Sequence, residues 1–317
     1  MAILPPDPAY ILKGDMGPVH SLLFRVSPYI EHLYAGTESG KVHIWDLRKN
    51  REVSKINASN ETCLAMHAIG HENLVTQSKG GAIHVWKADD SNWILDKSVD
   101  TGYCGFCRCQ VSADDSIYIP LNDSKIGLFS LKTLQTEVEL NPLISKMDSL
   151  GHVMAIKPCM DESKNVLVAY DGGVMALWDI RSKKMLSFKE VEQCPMCFDF
   201  NSTLNLGFIG SPCDNIEVFQ IAEDYELIEK KKLPLKNPGT ASIAIRPDMR
   251  VFAAGGWDSC IRIYSMKTLR PLAVLNQHKA TINEIVYSTS KVDAYNSKCL
   301  MAAGGKDGNI SLWSLYN

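Results

Sequence analysis

A unit of about a dozen residues recurs seven times along the 317-residue chain, and this repetition constrains the fold more than any other feature. A repeated supersecondary unit cannot bury its apolar face alone, so successive copies must stack on one another. The clearest copies are GTESGKVHIWDL (Gly36 to Leu47), SKGGAIHVWK (Ser78 to Lys87), AYDGGVMALWDI (Ala169 to Ile180) and GGKDGNISLWSL (Gly304 to Leu315). Weaker copies are LNDSKIGLFSL (Leu121 to Leu131), SPCDNIEVFQI (Ser211 to Ile221) and GGWDSCIRIYS (Gly255 to Ser265). Each ends on an aromatic, at Trp45, Trp86, Phe129, Trp178, Phe219, Tyr264 and Trp313, so the intervals are 41, 43, 49, 41, 45 and 49 residues.

Inside each unit an apolar run meets a Gly/Asp/Ser turn and then alternates, as in Lys41-Val42-His43-Ile44-Trp45, which reads as a hairpin of two strands, b and c. A further apolar segment precedes several hairpins (VHSLLF, CFDF, ASIAIRPD, INEIVY) and supplies an inner strand a. Four-stranded units with this period predict an all-β, seven-bladed WD-type β-propeller formed as one domain over residues 1–317. Only SLYN follows Trp313, whereas the chain opens with AYILKG (Ala9 to Gly14). The N-terminal segment is therefore expected to complete the last blade and close the ring, which removes an open sheet edge. The polar stretch Ser288 to Lys298 reads as a long a–b loop, and almost no helix is expected.

The composition, 45% hydrophobic and 22% charged, is that of a folded globular chain. A net charge of -3 offers no general attraction to nucleic acid or to an anionic membrane, and neither is an expected partner. The opening MAILPPDPAY has no basic n-region and too short an apolar run for a secretory signal, so a cytoplasmic protein, with the nucleus as a second compartment, is expected. In that setting the ten Cys read as reduced thiols.

GTESGKV resembles a phosphate loop, but Ala35 stands where the first Gly is needed and Val42 where Ser or Thr would meet magnesium. It reads instead as a b–c turn in which Gly supplies positive φ. The Cys104/Cys107 and Cys194/Cys197 pairs have zinc-ligand spacing but lie 87 residues apart between their facing members, Cys107 and Cys194, far beyond the usual gap between half-sites, so no metal is expected. No Ser-His-Asp or paired-carboxylate arrangement stands out, so neither catalysis nor a cofactor is expected. His278, Asp307 and Trp313 fit a structural hydrogen-bond network, and Asp123 and Asp258 occupy the place equivalent to Asp307.

Candidate partner contacts fall into two groups. Asn122, Trp257 and Lys306 immediately precede the b–c turn Asp and are expected on the face where these turns gather; Trp257 reads either as an interface anchor or as packing. Arg48 and Arg181 belong to two WDxR boxes, Trp45 to Arg48 and Trp178 to Arg181, which resemble those of cullin-RING ubiquitin ligase substrate receptors or are ordinary solvated arginines.

PPDP (Pro5 to Pro8), PVHSLLF (Pro18 to Phe24), GFCR (Gly105 to Arg108), NPG (Asn237 to Gly239), IRPD (Ile245 to Asp248), AGGWDSCIRI (Ala254 to Ile263), PLAVL (Pro271 to Leu275) with His278, and SLWSLY (Ser311 to Tyr316) together resemble the guanine nucleotide-binding protein β-subunit-like protein 1 family, related to the fungal ASTRA-associated WD protein. Gly172, at a turn where Asp is usual, departs from the pattern. The resemblance implies a scaffold that assists maturation of PIK-related kinases as a co-chaperone or assembly factor, with kinase clients, the Tel2-Tti1-Tti2 adaptor complex and chaperones as protein partners. It implies no GTP binding. With about nine residues ahead of the first strand there is no coiled-coil helix for a G-protein γ subunit, so that partner is not expected, and the chain by itself is expected to be a monomer.

Overall fold

The computed structural model describes residues 6–70, 72–89, 92–112, 115–142, 150–159 and 165–316. Pro5 of the PPDP run lies outside them. Seven four-stranded antiparallel sheets are arranged as a β-propeller. Blade 1 is built from Val19–Val26, Glu31–Thr37, Lys41–Asp46 and Arg51–Asn57, strands a to d in order. Blades 2 to 6 repeat this order over residues 63–100, 110–140, 153–190, 197–234 and 240–275.

Blade 7 takes strands a to c from Ile282–Tyr287, Met301–Gly305 and Ile310–Trp313, and its fourth strand is Tyr10–Leu12. The closing strand runs antiparallel, with Tyr10 opposite Leu312, Ile11 opposite Ser311 and Leu12 opposite Ile310. The amide of Ala9 extends the ladder to the Leu312 carbonyl at 2.7 Å. Leu12 is fully buried here, among Val19, Leu33, Ile310 and Leu312.

The aromatic that marks each repeat also marks a change of register. In blades 1 to 6 the c–d pairing slips by one residue immediately before Trp45, Trp86, Phe129, Trp178, Phe219 and Tyr264. A bulge at this point increases twist and turns the large ring inward. Blade 7 has no such slip, because its borrowed strand stops opposite Leu312, short of Trp313.

Seven buried apolar clusters lie one at each blade junction, so stability is held between neighbours rather than at a common centre. Around the channel a second, polar ring follows the same path. Ser21 Oγ donates to the Cys63 carbonyl (2.8 Å), Gln77 Nε2 to that of Cys107 (3.1 Å), and the Tyr103 hydroxyl to that of Val153 (3.1 Å). Lys157 pairs with Asp199 at 2.6 Å, and the same carboxylate accepts the Ile245 amide at 2.8 Å. Ser242 accepts the Ile285 amide (3.0 Å), and Asn283 Nδ2 donates to the Val19 carbonyl (2.8 Å), returning the ring to blade 1. Each junction thereby satisfies a buried polar group that would otherwise be costly.

The stretch Ser288 to Lys298 does form the a–b loop of blade 7, but it carries a 3-10 turn, Asp293–Tyr295. The Glu31 carboxylate of blade 1 accepts the Asp293 and Ala294 amides at 2.9 and 3.1 Å, so the loop fastens the closure seam. Among the described residues no helix is long and apolar enough to cross a membrane.

Candidate partner-binding face

Because every blade repeats the same strand order, all b–c turns emerge on one face and all c–d turns on the other. What the b–c face can do depends on how firmly each turn is held. Blade 7 has the fullest network. The Asp307 carboxylate lies 3.1 and 3.2 Å from His278 Nδ1, and accepts the amides of Lys279 (2.9 Å) and Asn309 (3.1 Å). His278 Nε2 lies 2.8 Å from Ser311 Oγ, which accepts the Trp313 indole N–H at 2.8 Å. With Nδ1 donating to Asp307, Nε2 accepts the Ser311 proton, and every member is paired. Ser311 was not among the residues singled out from sequence; its signal is a polar residue two positions before the strand-c aromatic.

That position is informative elsewhere. In blade 6 it holds Arg262, whose guanidinium grips both Asp258 oxygens at 3.0 and 2.5 Å in place of a His and a Ser. In blade 1 it holds His43, buried against Glu52 at 2.8 Å. Blade 3 has Gly127 there, and Asp123 of its turn adopts left-handed backbone (φ 59°) with no side-chain partner among the described residues. The expectation that Asp123 joins such a network is therefore corrected: Gly127 and Phe129 offer it no polar chain to bond.

Burial pushes Asp307 upward, yet two backbone amides and His278 hold it below the usual carboxylate range. A depressed folded value means that the contribution is present above the ordinary carboxylate range and is lost as pH falls through the lower folded value. Asp307→Asn should cost about 1–3 kcal/mol at pH 7. Urea titrations should show the gap from wild type narrowing as the pH drops below about 4; a gap independent of pH would contradict the ionised role.

Trp257 is 43% exposed, and it is both packed and presented. Its indole lies flat on Gly239, where a β-carbon would come within 2.3 Å of Trp257 Cδ2, and Gly239 has φ +94°. The Trp257 amide donates to the Gly239 carbonyl at 3.1 Å, and Asn237 Nδ2 donates to Asp258 at 2.9 Å. NPG is thus the bed on which GWD rests, a relation invisible from either motif alone. Asn122 and Lys306 are exposed in the equivalent turns of blades 3 and 7. Asn122 Nδ2 reaches the Gly102 carbonyl at 3.5 Å, and Lys306 is fixed by its backbone, through a 2.9 Å bond to the Thr281 carbonyl.

Arg48 and Arg181 lie in c–d turns on the opposite face, so the predicted contact residues divide between two surfaces. The Asp of each WDxR box caps its own turn: Asp46 accepts the Arg48 amide and Asp179 that of Arg181, both at 2.9 Å. The Arg48 guanidinium folds back onto blade 1, toward the carbonyls of Pro28 (3.3 Å) and Tyr29 (3.4 Å) and the Glu31 carboxylate (3.6 Å).

The turn Gly36 to Val42 is a b–c turn with Gly40 at φ +75°, its amide bonded to the Thr37 carbonyl at 3.1 Å. The Cys pairs enter blades 3 and 5, and burial raises Cys107 well above the usual thiol range and Cys197 to about 12. Among the described residues no three His, Cys, Asp or Glu side chains gather as metal ligands do.

The family described as "WD domain, G-beta repeat" matches residues 237–265, which hold the Asn237–Asp258–Arg262 arrangement. The chain is 29% identical over 334 residues to guanine nucleotide-binding protein subunit beta-like protein 1 of Mus musculus, covering 98% of this chain and 97% of that protein. It is 26% identical to ASTRA-associated protein 1 of Schizosaccharomyces pombe (98% and 99% covered) and 32% identical to that of Aspergillus flavus (98% of each).

Proposed function

Because the chain belongs to the WD-repeat family of ASTRA-associated protein 1 and guanine nucleotide-binding protein subunit beta-like protein 1, we propose that it is a non-catalytic scaffold for protein assembly. In this reading it acts in the cytoplasm and nucleus as a co-chaperone or assembly factor for maturing PIK-related kinases, beside an adaptor complex of the Tel2-Tti1-Tti2 type and general chaperones. The observation that carries the reading is Trp257: a large indole held from beneath by Gly239 and left half in solvent. An aromatic ordered before binding loses little freedom on association, which is what an interface anchor requires. Three carboxylates held below their usual range are taken up by structural contacts. Asp248, Asp258 and Asp307 are engaged in turns and blade junctions, with Arg246, Arg262 and His278 as their partners.

Affinity capture of the full chain from cells tests the reading. Adaptor subunits, kinases and chaperones recovered in near-stoichiometric amount are the expected result. A cullin adaptor recovered instead, and lost on Arg48→Ala with Arg181→Ala, would favour the rival function of ubiquitin-ligase substrate receptor; the inward fold of Arg48 speaks against it.

A further inference from the structure

The b–c face carries a second exposed aromatic that the scaffold reading does not use. Phe106, in the segment entering blade 3, is 65% exposed, and the residues that follow it are anchored. Gln77 Nε2 donates to the carbonyl of neighbouring Cys107 (3.1 Å), and Gln77 Oε1 accepts the Cys109 amide (2.7 Å). Arg108 then spans the channel, reaching the carbonyls of His20 in blade 1 (2.8 Å) and Asn283 in blade 7 (3.1 Å) and the carboxylate of Glu284. A large apolar ring left in water beside an anchored backbone has no folding role to explain its position.

Its surroundings are cationic. The Lys79 ammonium, from the b–c turn of blade 2, sits 4.5 Å from the Phe106 ring centroid. His20, half-buried next to this group, feels Arg108, Lys79 and Lys306 against the single carboxylate of Glu38. Burial, Arg108 and the two lysines lower its pKa, so it is neutral at neutral pH and adds no charge. Glu284 pairs with Arg108, which leaves Lys79 and Lys306, with Glu38 beside them, as the cations that face a ligand here.

Resting on the scaffold reading, we propose that the arc formed by Lys306, His20, Lys79 and Phe106 receives an extended acidic segment of a partner protein, with an apolar side chain of that segment seated on Phe106. Carboxylates meet Lys79 and Lys306, which raises the encounter rate and sets polarity, while the apolar contact with Phe106 slows release.

The probe is a fluorescein-labelled peptide of about 12 residues made of Glu and Asp with two central leucines, measured by anisotropy against the full chain. Counterparts with Lys for the acidic residues, or without the leucines, complete the set. The leucine-bearing acidic peptide should bind best. Phe106→Ala should weaken it about tenfold or more with the melting temperature unchanged. Lys79→Glu with Lys306→Glu should weaken it further and flatten its salt dependence. No binding by wild type, equal binding of the basic peptide, or indifference to these substitutions would overturn the proposal. Affinity capture with the same variants separates the two claims: partners still recovered in full would leave the scaffold standing without this arc, whereas no partners even with wild type would remove the scaffold reading itself.

Discussion

Deleting Met1 to Lys13 should abolish the folded monomer. The deletion removes Tyr10–Leu12, the outer strand of blade 7, and leaves the Ile310–Trp313 strand as an open edge. It also uncovers the cluster in which Leu12 is buried with Val19, Leu33, Ile310 and Leu312. Truncating such a leucine to alanine alone costs about 2–5 kcal/mol. Losing the strand removes the ladder bonds as well, a total comparable to the whole stability of an ordinary domain. The bared strand, Ile310–Trp313, is buried along its whole length in the closed ring, and Ser311, which bridges His278 and Trp313, lies on it opposite Ile11. Unpaired edges of this kind pair with other chains. Size-exclusion chromatography should therefore show aggregate for the truncated chain and a monomer for the full chain; a truncated monomer with an unchanged melting temperature would contradict the closure.

The second large effect concerns Arg108, whose guanidinium ties blade 3 to blades 1 and 7 across the channel. Burial lowers its pKa to about 10, so it remains cationic at neutral pH. Arg108→Met keeps much of the apolar stem but leaves the Glu284 carboxylate and two carbonyls without their donor. Breaking one side of a buried ion pair costs about 3–5 kcal/mol; the side chains of Arg108 and Glu284 are 31% and 15% exposed, which reduces this to about 2–4 kcal/mol. Arg108→Lys should recover only part, because one ammonium cannot copy a planar fork directed at three acceptors. Adding Glu284→Gln to Arg108→Met should restore part of the loss, since the orphaned charge is removed. Urea unfolding of the single and double variants gives the coupling; strictly additive losses would show that the two side chains do not act on each other.

The ring itself was legible because period, turn residues and aromatics are local signals. Each aromatic falls in strand c of its blade, and even the weakly marked units of blades 3, 5 and 6 form full four-stranded sheets. The residues that hold the ring together were not legible, because their partners lie in other blades. Arg108 finds Asn283 at a sequence separation of 175, and Arg246 of IRPD donates to the carbonyls of Leu315 (2.6 Å) and Tyr316 (3.1 Å), near the end of the last blade. IRPD, GFCR and NPG look like surface punctuation when read along the chain. In space they are a clamp on the last blade, a bar across the channel and a bed for an indole. The candidate contact residues were partly legible: the b–c turn positions could be counted, but the return of the Arg48 guanidinium onto its own blade and the support beneath Trp257 depend on tertiary geometry.

Partner capture with Trp257→Ala, with the melting temperature measured on the same preparation, decides whether the scaffold binds through its b–c face. The indole is half in solvent, so its loss should change stability little, while truncating an aromatic anchor commonly costs about 2 kcal/mol or more of binding, roughly a thirtyfold loss of affinity. Recovery of the co-assembling proteins should therefore fall steeply with the melting temperature unchanged; a lowered melting temperature with undiminished capture by the folded fraction would show that Trp257 only covers Gly239 and that the b–c face is not where partners bind through it.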